Sequence, residues 1–448
     1  MAEPTVAQSL AATAAGLRVC DLSSATRGAL TRTVLDWFGV AIGGSAEGPA
    51  AVIGRGLVAG GPSRLVGGGS ADAALAAFVN GTAAHTLELD DIYAPGLVHP
   101  GAPVVAAALA VADLAGASGV QFERAVLAGI EVACRAAADL GPPHYRRWHT
   151  TGTAGALGAA VAAAGLLHLD QHRTAHAIAL AATMAGGLQQ TFRRDAAGKP
   201  LHAGHAAQSG ALAAVAAAGG VTGALDALEG EAGLAAATGA PTSWTASRQG
   251  TAGVPLIEQL TIKPYPCCGH TFAAIDGALA LRAAGLQPGR VERIEVATYH
   301  TALDVAGAPD PRTVPAARFS IGFAVAVALL EGRVTRDCFS PAWLGDDARR
   351  GLTERVTLTV DAALDDAFPA RRGAAVTVTT RDGDVLSRTV PDRSGSPGNP
   401  LTPEAVAAKF TGLAEPVLGA DAAARLAAHI RGLSDLASVR ELALAGTT

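Results

Sequence analysis

The feature that most constrains this chain is its supply of small apolar side chains in long runs. Thr153–Leu167 and Ala206–Gly219 consist largely of Ala, Gly, Val and Leu. Half of the residues are hydrophobic, yet aromatics make up only 4%. Alanine is the best helix former, and alanine-faced helices bury apolar area only where their backbones approach closely. The chain therefore reads as mainly α. At 448 residues it exceeds the size at which one core usually stops growing, which predicts two domains.

From Val6 to about Leu260 the apolar residues recur with a helical period. Arg27–Ile42 carries them at i, i+3, i+4 and i+7, and Gly43-Gly44 stops it. Ala71–Ala84, Pro103–Leu114, Phe122–Leu140, Thr153–Leu167, Thr174–Gln189 and Ala206–Gly219 continue the series. Gly67–Gly69 reads as a flexible turn. After Pro264 the character changes. Phe272–Ala284 and the apolar Phe319–Leu330 read as helices, while Val291–His300, Arg355–Val360, Ala375–Thr380 and Val385–Val390 alternate with period two. The last two runs flank Arg381-Asp382-Gly383-Asp384, a hairpin turn with Asp-Gly at its centre. Ser394–Pro400 reads as a linker, and Thr402-Pro403 offers an N-cap followed by Pro at the first helical position. The expected organisation is an all-helical domain over 1–260, an α+β domain over 261–395, and a helical segment over 396–448. That last segment rejoins the first domain, because so short an Ala-rich stretch struggles to bury a core alone.

Several function classes lack support. A net charge of −5 with scattered Lys and Arg leaves no basic stripe for nucleic acid. The opening residues MAEPTVAQSL lack the basic region and apolar core of a signal peptide, and the alanine runs are broken by Gly, His and Gln. A cytoplasmic protein with no membrane partner is expected. The five cysteines, Cys20, Cys134, Cys267, Cys268 and Cys338, are odd in number and contain no C-x-x-C, against a disulfide framework or thiolate metal site. Cys267–Cys268 read as small buried residues rather than a redox pair. Neither G-x-G-x-x-G after a strand nor a P-loop is present, so nucleotide cofactors have no anchor.

Four segments place titratable residues in apolar surroundings: Glu88-x-Asp90-Asp91 with His99, HYRRWHTTGT with His149, KPLHAGH with Lys199, His202 and His205, and KPYPCCGH with Lys263 and His270. Each lies on a loop or at a helix start. A helix N-terminus presents unpaired N–H groups and partial positive charge, so it holds a carboxylate, and an adjacent lysine adds a full charge. Histidine titrates near neutrality and a neighbouring acid fixes its tautomer. Together the parts fit proton abstraction next to a carboxylate. Singly they decide nothing, since clustered acids are usually solvated and Lys-Pro is often a turn. His202/His205 and His168/His172/His176 have spacings that suit a metal, but a solvated helix face and a supported loop are the plainer readings. No metal ligand is assigned.

Taken jointly and in order, these segments resemble the MmgE/PrpD family. The likeness spans NGTAAHTLELDD with HPGAPVVAAALA, GIEVACR, RRWHTTGTAGALGAA, GKPLHAGHAAQSG, KPYPCCGHTFAAIDGAL, ARFSIGFAVAVALLEG and PGNPLTPEAVAAKF. The resemblance implies a large all-helical domain built from both chain ends, an inserted α+β lid domain, a homodimer, and a cofactor-free site between the domains. It also implies removal or addition of a proton α to a carboxylate of a small di- or tricarboxylate. Carried over by position, Glu88, Asp90 and Asp91 match the acidic motif, His99 the His-Pro, His149 the loop histidine, and Lys199 and Lys263 the two lysines. Ile92, Gly269, Phe272 and Phe323 depart from the commoner pattern, and Gly269 removes a bidentate clamp that a tricarboxylate would use. The expectation is a dehydratase of a hydroxy-carboxylate, with decarboxylation or epimerisation as alternatives and a non-catalytic binding protein as the reading from another class. His149 is expected as base, His99 as acid, Lys199 and Lys263 as charge holders, Asp90 and Asp91 as orienting acids, and Glu88, His202 and His270 as substrate contacts.

Overall fold

The computed structural model describes residues 3–18, 22–57, 60–192, 196–240, 243–250, 253–442 and 444. It divides into two compact units, Met1–Ile262 with Thr402–Thr448, and Lys263–Leu401. The protein is mainly helical, with a small four-stranded sheet in the second unit. Cys20 lies outside the described residues, and Cys134, Cys267, Cys268 and Cys338 form no disulfide among the described residues.

The first unit contains α1 (Val6–Gly16), α2 (Ser24–Ser45), α3 (Gly48–Leu57), α4 (Ala73–Thr86), α5 (Gly101–Ala115), α6 (Gly119–Tyr145), α7 (Thr150–Leu166), α8 (Gln171–Met184) and α9 (Lys199–Ala218). Starts are set by side-chain caps: Thr5 and Ser118 close capping boxes with Gln8 and Gln121, and Ser23, Asp72 and Asp170 each accept a first-turn N–H. α5 is buried from Gly101 through Asp113, and α7 from Thr150 through Ala164. Helices apolar all round have no solvated face, so these two form the centre of the unit. α6 bends at Gly141, whose φ of 59° precedes Pro142. The helix Pro403–Leu418 returns to pack on α2, where the Gly39 position faces Phe410. Buried Arg64 pairs with Asp113 at 2.8 Å and donates to the carbonyls of Val439 and Leu442, which fastens the C-terminal stretch to this unit. β1 (Ser63–Arg64) and β2 (Ser70–Ala71) flank the Gly67–Gly69 turn, in which Gly68 and Gly69 have φ of 104° and 82°.

In the second unit, β3 (Val291–Thr298), β4 (Val356–Val360), β5 (Ala374–Thr380) and β6 (Val385–Val390) form a sheet of order β4-β3-β5-β6. β3 and β4 pair in parallel and the other neighbours antiparallel. On β5, Ala374, Val376, Val378 and Thr380 are buried and alternate with partly exposed residues. The helices Phe272–Ala283 and Ile321–Glu331 complete the core of this unit, in which Phe272 and Phe323 are buried. Among the described residues, no helix is long and apolar enough to cross a membrane.

Candidate active site

Helix ends in the first unit deliver its polar groups to one place. His85 stands in the last turn of α4, and the chain then turns through Glu88, whose φ of 58° is left-handed. His99 and Pro100 lead into α5, His149 is the N-cap of α7, and Lys199 opens α9 with His202 in its first turn. α9 starts seven residues ahead of the expected Ala206, because Pro200 falls in a first turn where its missing N–H costs nothing. His149 and Gly198, the N-caps of α7 and α9, make no side-chain cap bond. The α4–α9 crossing is close: a Cβ on Gly204 would lie 2.4 Å from the Phe78 carbonyl oxygen.

The geometry centres on Asp90. His85 Nδ1 lies 2.6 Å and His99 Nδ1 3.1 Å from the same oxygen, Asp90 Oδ2. A carboxylate only accepts, so His85 carries its proton on Nδ1. The His85 ring stacks on His149 with centroids 5.4 Å apart, and the His99 and His149 centroids are 6.4 Å apart. His149 Nδ1 meets His202 Nδ1 at 3.2 Å, and Lys199 is ion-paired with Glu88. His85 and His149 are buried, while the His99 side chain is 13% exposed. The buried atoms His85 Nε2 and Asp90 Oδ1 have no hydrogen-bond partner among the described residues.

The electrostatics separate the two ends of this cluster. Burial alone would raise the Asp90 carboxyl, but the facing His85 and His99 hold it well below the usual carboxylate range. Burial first, then the charges of His85, Lys199 and His99, push His149 well below the usual imidazole range. His202 is pushed down to about 4, again by burial first. An ionised acid thus stands beside His99, and a neutral imidazole faces it. His85, Asp90 and His99 also present ligand atoms within 4.8 Å of one another, a set chemically able to hold a divalent metal.

The remaining expected residues have these surroundings. Asp91 accepts the Gly101 N–H at 3.1 Å, at the start of α5, and among the described residues no histidine bonds it. Burial, together with Asp90 and Asp36, raises its carboxyl well above the usual range. Behind it Lys409 pairs with Asp36 at 2.6 Å and donates to the Leu89 carbonyl. Lys263 and His270 belong to the second unit, where Lys263 is 2% exposed and His270 Nδ1 lies 2.7 Å from the Tyr299 hydroxyl. His205 contacts the Met184 carbonyl at 3.0 Å. The residue that the sequence reading passed over is His85. Its only signal is position, in the last helical turn five residues before Asp90.

The MmgE/PrpD N-terminal domain pattern matches residues 8–247, and the MmgE/PrpD C-terminal domain pattern matches residues 265–435. The chain belongs to the MmgE/PrpD family. Its relatives include the cis-aconitate decarboxylase of Homo sapiens, 27% identical over 385 residues that cover 81% of this chain and 76% of the human protein. The cis-aconitate decarboxylase of Mus musculus is 26% identical over 382 residues, covering 81% and 76%. The cis-aconitate decarboxylase-like protein oryM of Aspergillus oryzae is 26% identical over 393 residues, covering 82% and 81%. The MmgE/PrpD relatives named here are thus lyase-type proteins at the coarse level, and the His85–Asp90–His99–His149 cluster falls within the N-terminal family domain.

Proposed function

We propose that this MmgE/PrpD protein is a cofactor-independent lyase that transfers a proton at the carbon α to a carboxylate of a small organic acid. The observation that carries the reading is the pairing, in one buried cluster, of a neutral His149 with a His99 backed by ionised Asp90. A base has to be unprotonated, which burial favours at His149, and an acid has to hold a proton, for which His99 has Nδ1 3.1 Å from the ionised Asp90 carboxylate. His149 takes the α proton. Lys199, held by Glu88, steadies the negative charge that develops on the enolate-like intermediate. His99 gives its proton to the departing hydroxyl, so that water leaves and a carbon–carbon double bond forms.

A second reading is decarboxylation, favoured by the names of the relatives above. There the carboxylate leaves as CO2 and one of the same histidines protonates the carbanion. The two outcomes separate in one experiment. The protein is incubated in deuterated water with hydroxylated and unsaturated di- and tricarboxylates, and NMR with mass spectrometry reads loss of water, loss of CO2 or deuterium uptake. Near wild-type turnover in His149→Ala sinks both readings. The proposal includes a homodimer and activity that survives EDTA; light scattering and a chelator titration test these, and stoichiometric metal in the active protein counts against it.

A further inference from the structure

A second group of buried cations lies in the other unit. Arg372 lies two residues before the start of β5 and Arg393 three residues after the end of β6, and the Ala374↔Val390 register brings both to the same end of that strand pair. Arg372 is only 9% exposed. Its guanidinium lies 5.7 Å from the Phe368 ring centroid, and among the described residues it has no hydrogen-bond acceptor and no carboxylate partner. The acid across the strand pair, Asp392, is already engaged: its oxygens accept the Arg372 backbone N–H at 3.3 Å and the Ser396 hydroxyl at 2.6 Å.

The surroundings are those of a ligand site. Arg393, 1% exposed, donates to the Gly269 carbonyl at 2.8 Å and lies over the Phe272 ring. The Tyr299 hydroxyl bonds the adjacent His270, and the Tyr299 ring stacks on Phe368 with centroids 4.7 Å apart and 12° between planes. Burial, then Arg372 and Arg393, push His270 down to about 3, so it brings no further charge at neutral pH. A guanidinium cannot escape burial by losing its proton, and a buried charge without a partner is costly. An anion removes that cost. The planar fork of Arg matches a carboxylate, and the Tyr299–Phe368 stack offers an apolar wall to its carbon chain.

We propose that Arg372, together with Arg393, His270 and Tyr299, binds a carboxylate group of a small organic acid in the second unit. The choice of a carboxylate over another small anion rests on the lyase reading; the presence of an anion site does not. The test is calorimetric titration of the full-length protein with succinate and, separately, with inorganic phosphate. Arg372→Gln is expected to weaken succinate binding at least 10-fold, which is about 1.4 kcal/mol. Arg372→Lys is expected to restore part of it, and serves if the glutamine variant folds poorly. Without ligand, Arg372→Gln is expected to melt no lower than wild type, since it removes an unpaired buried charge. Unchanged succinate affinity in both variants overturns the proposal, as does Arg372-dependent binding of phosphate without binding of succinate. His149→Ala is expected to bind succinate as wild type does while losing turnover, so failure of the lyase reading shows in that variant and not in the Arg372 series.

Discussion

His149 and His202 meet through their Nδ1 atoms at 3.2 Å, so one ring donates there and the other accepts. If His149 donates, its Nε2 carries the lone pair that a general base needs, and His202 is what fixes that tautomer. His149→Ala is expected to lower kcat by about 10²–10⁴-fold, the span of lost general-base catalysis. His202→Phe keeps a ring but loses the partner nitrogen, and a smaller fall of about 10-fold, mainly in kcat, is expected, in line with loss of an orienting partner. Steady-state kinetics on the substrate found by the deuterium experiment reads both.

The depressed proton affinity of His149 sets the acid side of the pH profile. Because the base stays neutral well below the ordinary imidazole range, kcat/KM is expected to hold its plateau from neutral pH down past pH ~6. Lys199 is among the charges that depress it, after burial and His85. Lys199→Met is therefore expected to raise KM and also to move the acid limb to higher pH. A raised KM with an unmoved limb would leave Lys199 only a binding role.

Local signals in the sequence carried much of the fold, and non-local ones were silent. Val385–Val390 is a strand with the expected bounds, and the Arg381–Asp384 turn joins it to β5, because alternation and an Asp-Gly turn are local features. The parallel β3–β4 pairing has no local signature, since its register is set by contacts between distant residues. The start of α9 was hidden by Pro200, which reads as a break although the first turn tolerates it. The segments that converge on Asp90 were visible as islands of polarity, but their mutual distances depend on helix crossings that periodicity does not encode. His85 escaped notice for a related reason: it ends a helix that is otherwise apolar, and only the turn at Glu88 brings Asp90 back to it.

Buried neutral histidines also predict how stability follows pH. His144 and His202 are pushed down to about 4 and His270 to about 3, in each case by burial first. Above pH ~6.5 these groups are neutral in both folded and unfolded chains and contribute no pH dependence. As pH falls below that value the unfolded chain binds protons that the folded chain refuses, so stability drops by up to about 1.4 kcal/mol per pH unit for each such histidine. The loss is expected between pH ~6.5 and ~4 for His144 and His202, and on down to pH ~3 for His270. Urea titrations at pH 7.5, 6 and 5 check it; a flat midpoint across that range would contradict the buried, neutral assignment. His144→Gln is expected to flatten the slope, since its partner is the Thr153 hydroxyl at 2.8 Å and an amide can make that bond without titrating.

The fold and the site are coupled most directly at Gly204. A Cβ there would lie 2.2 Å from Thr82 Oγ1 and 2.4 Å from the Phe78 carbonyl oxygen, and the second of these is backbone that cannot rotate away. Gly204→Ala therefore has to push α9 off α4. Overpacking of this kind typically costs about 1–3 kcal/mol. Since α4 carries His85 and α9 carries Lys199 and His202, the displacement also separates groups that act together. The expected result is a lower melting temperature together with a fall in kcat/KM. Gly412→Ala is the control: it lies within the helix Pro403–Leu418 with nothing within 4 Å of an added Cβ. Replacing an unstrained helical glycine there is expected to raise stability by about 0.5–1 kcal/mol with no change in activity. Equal activity losses in both variants would show that general destabilisation, and not the α4–α9 spacing, controls the site.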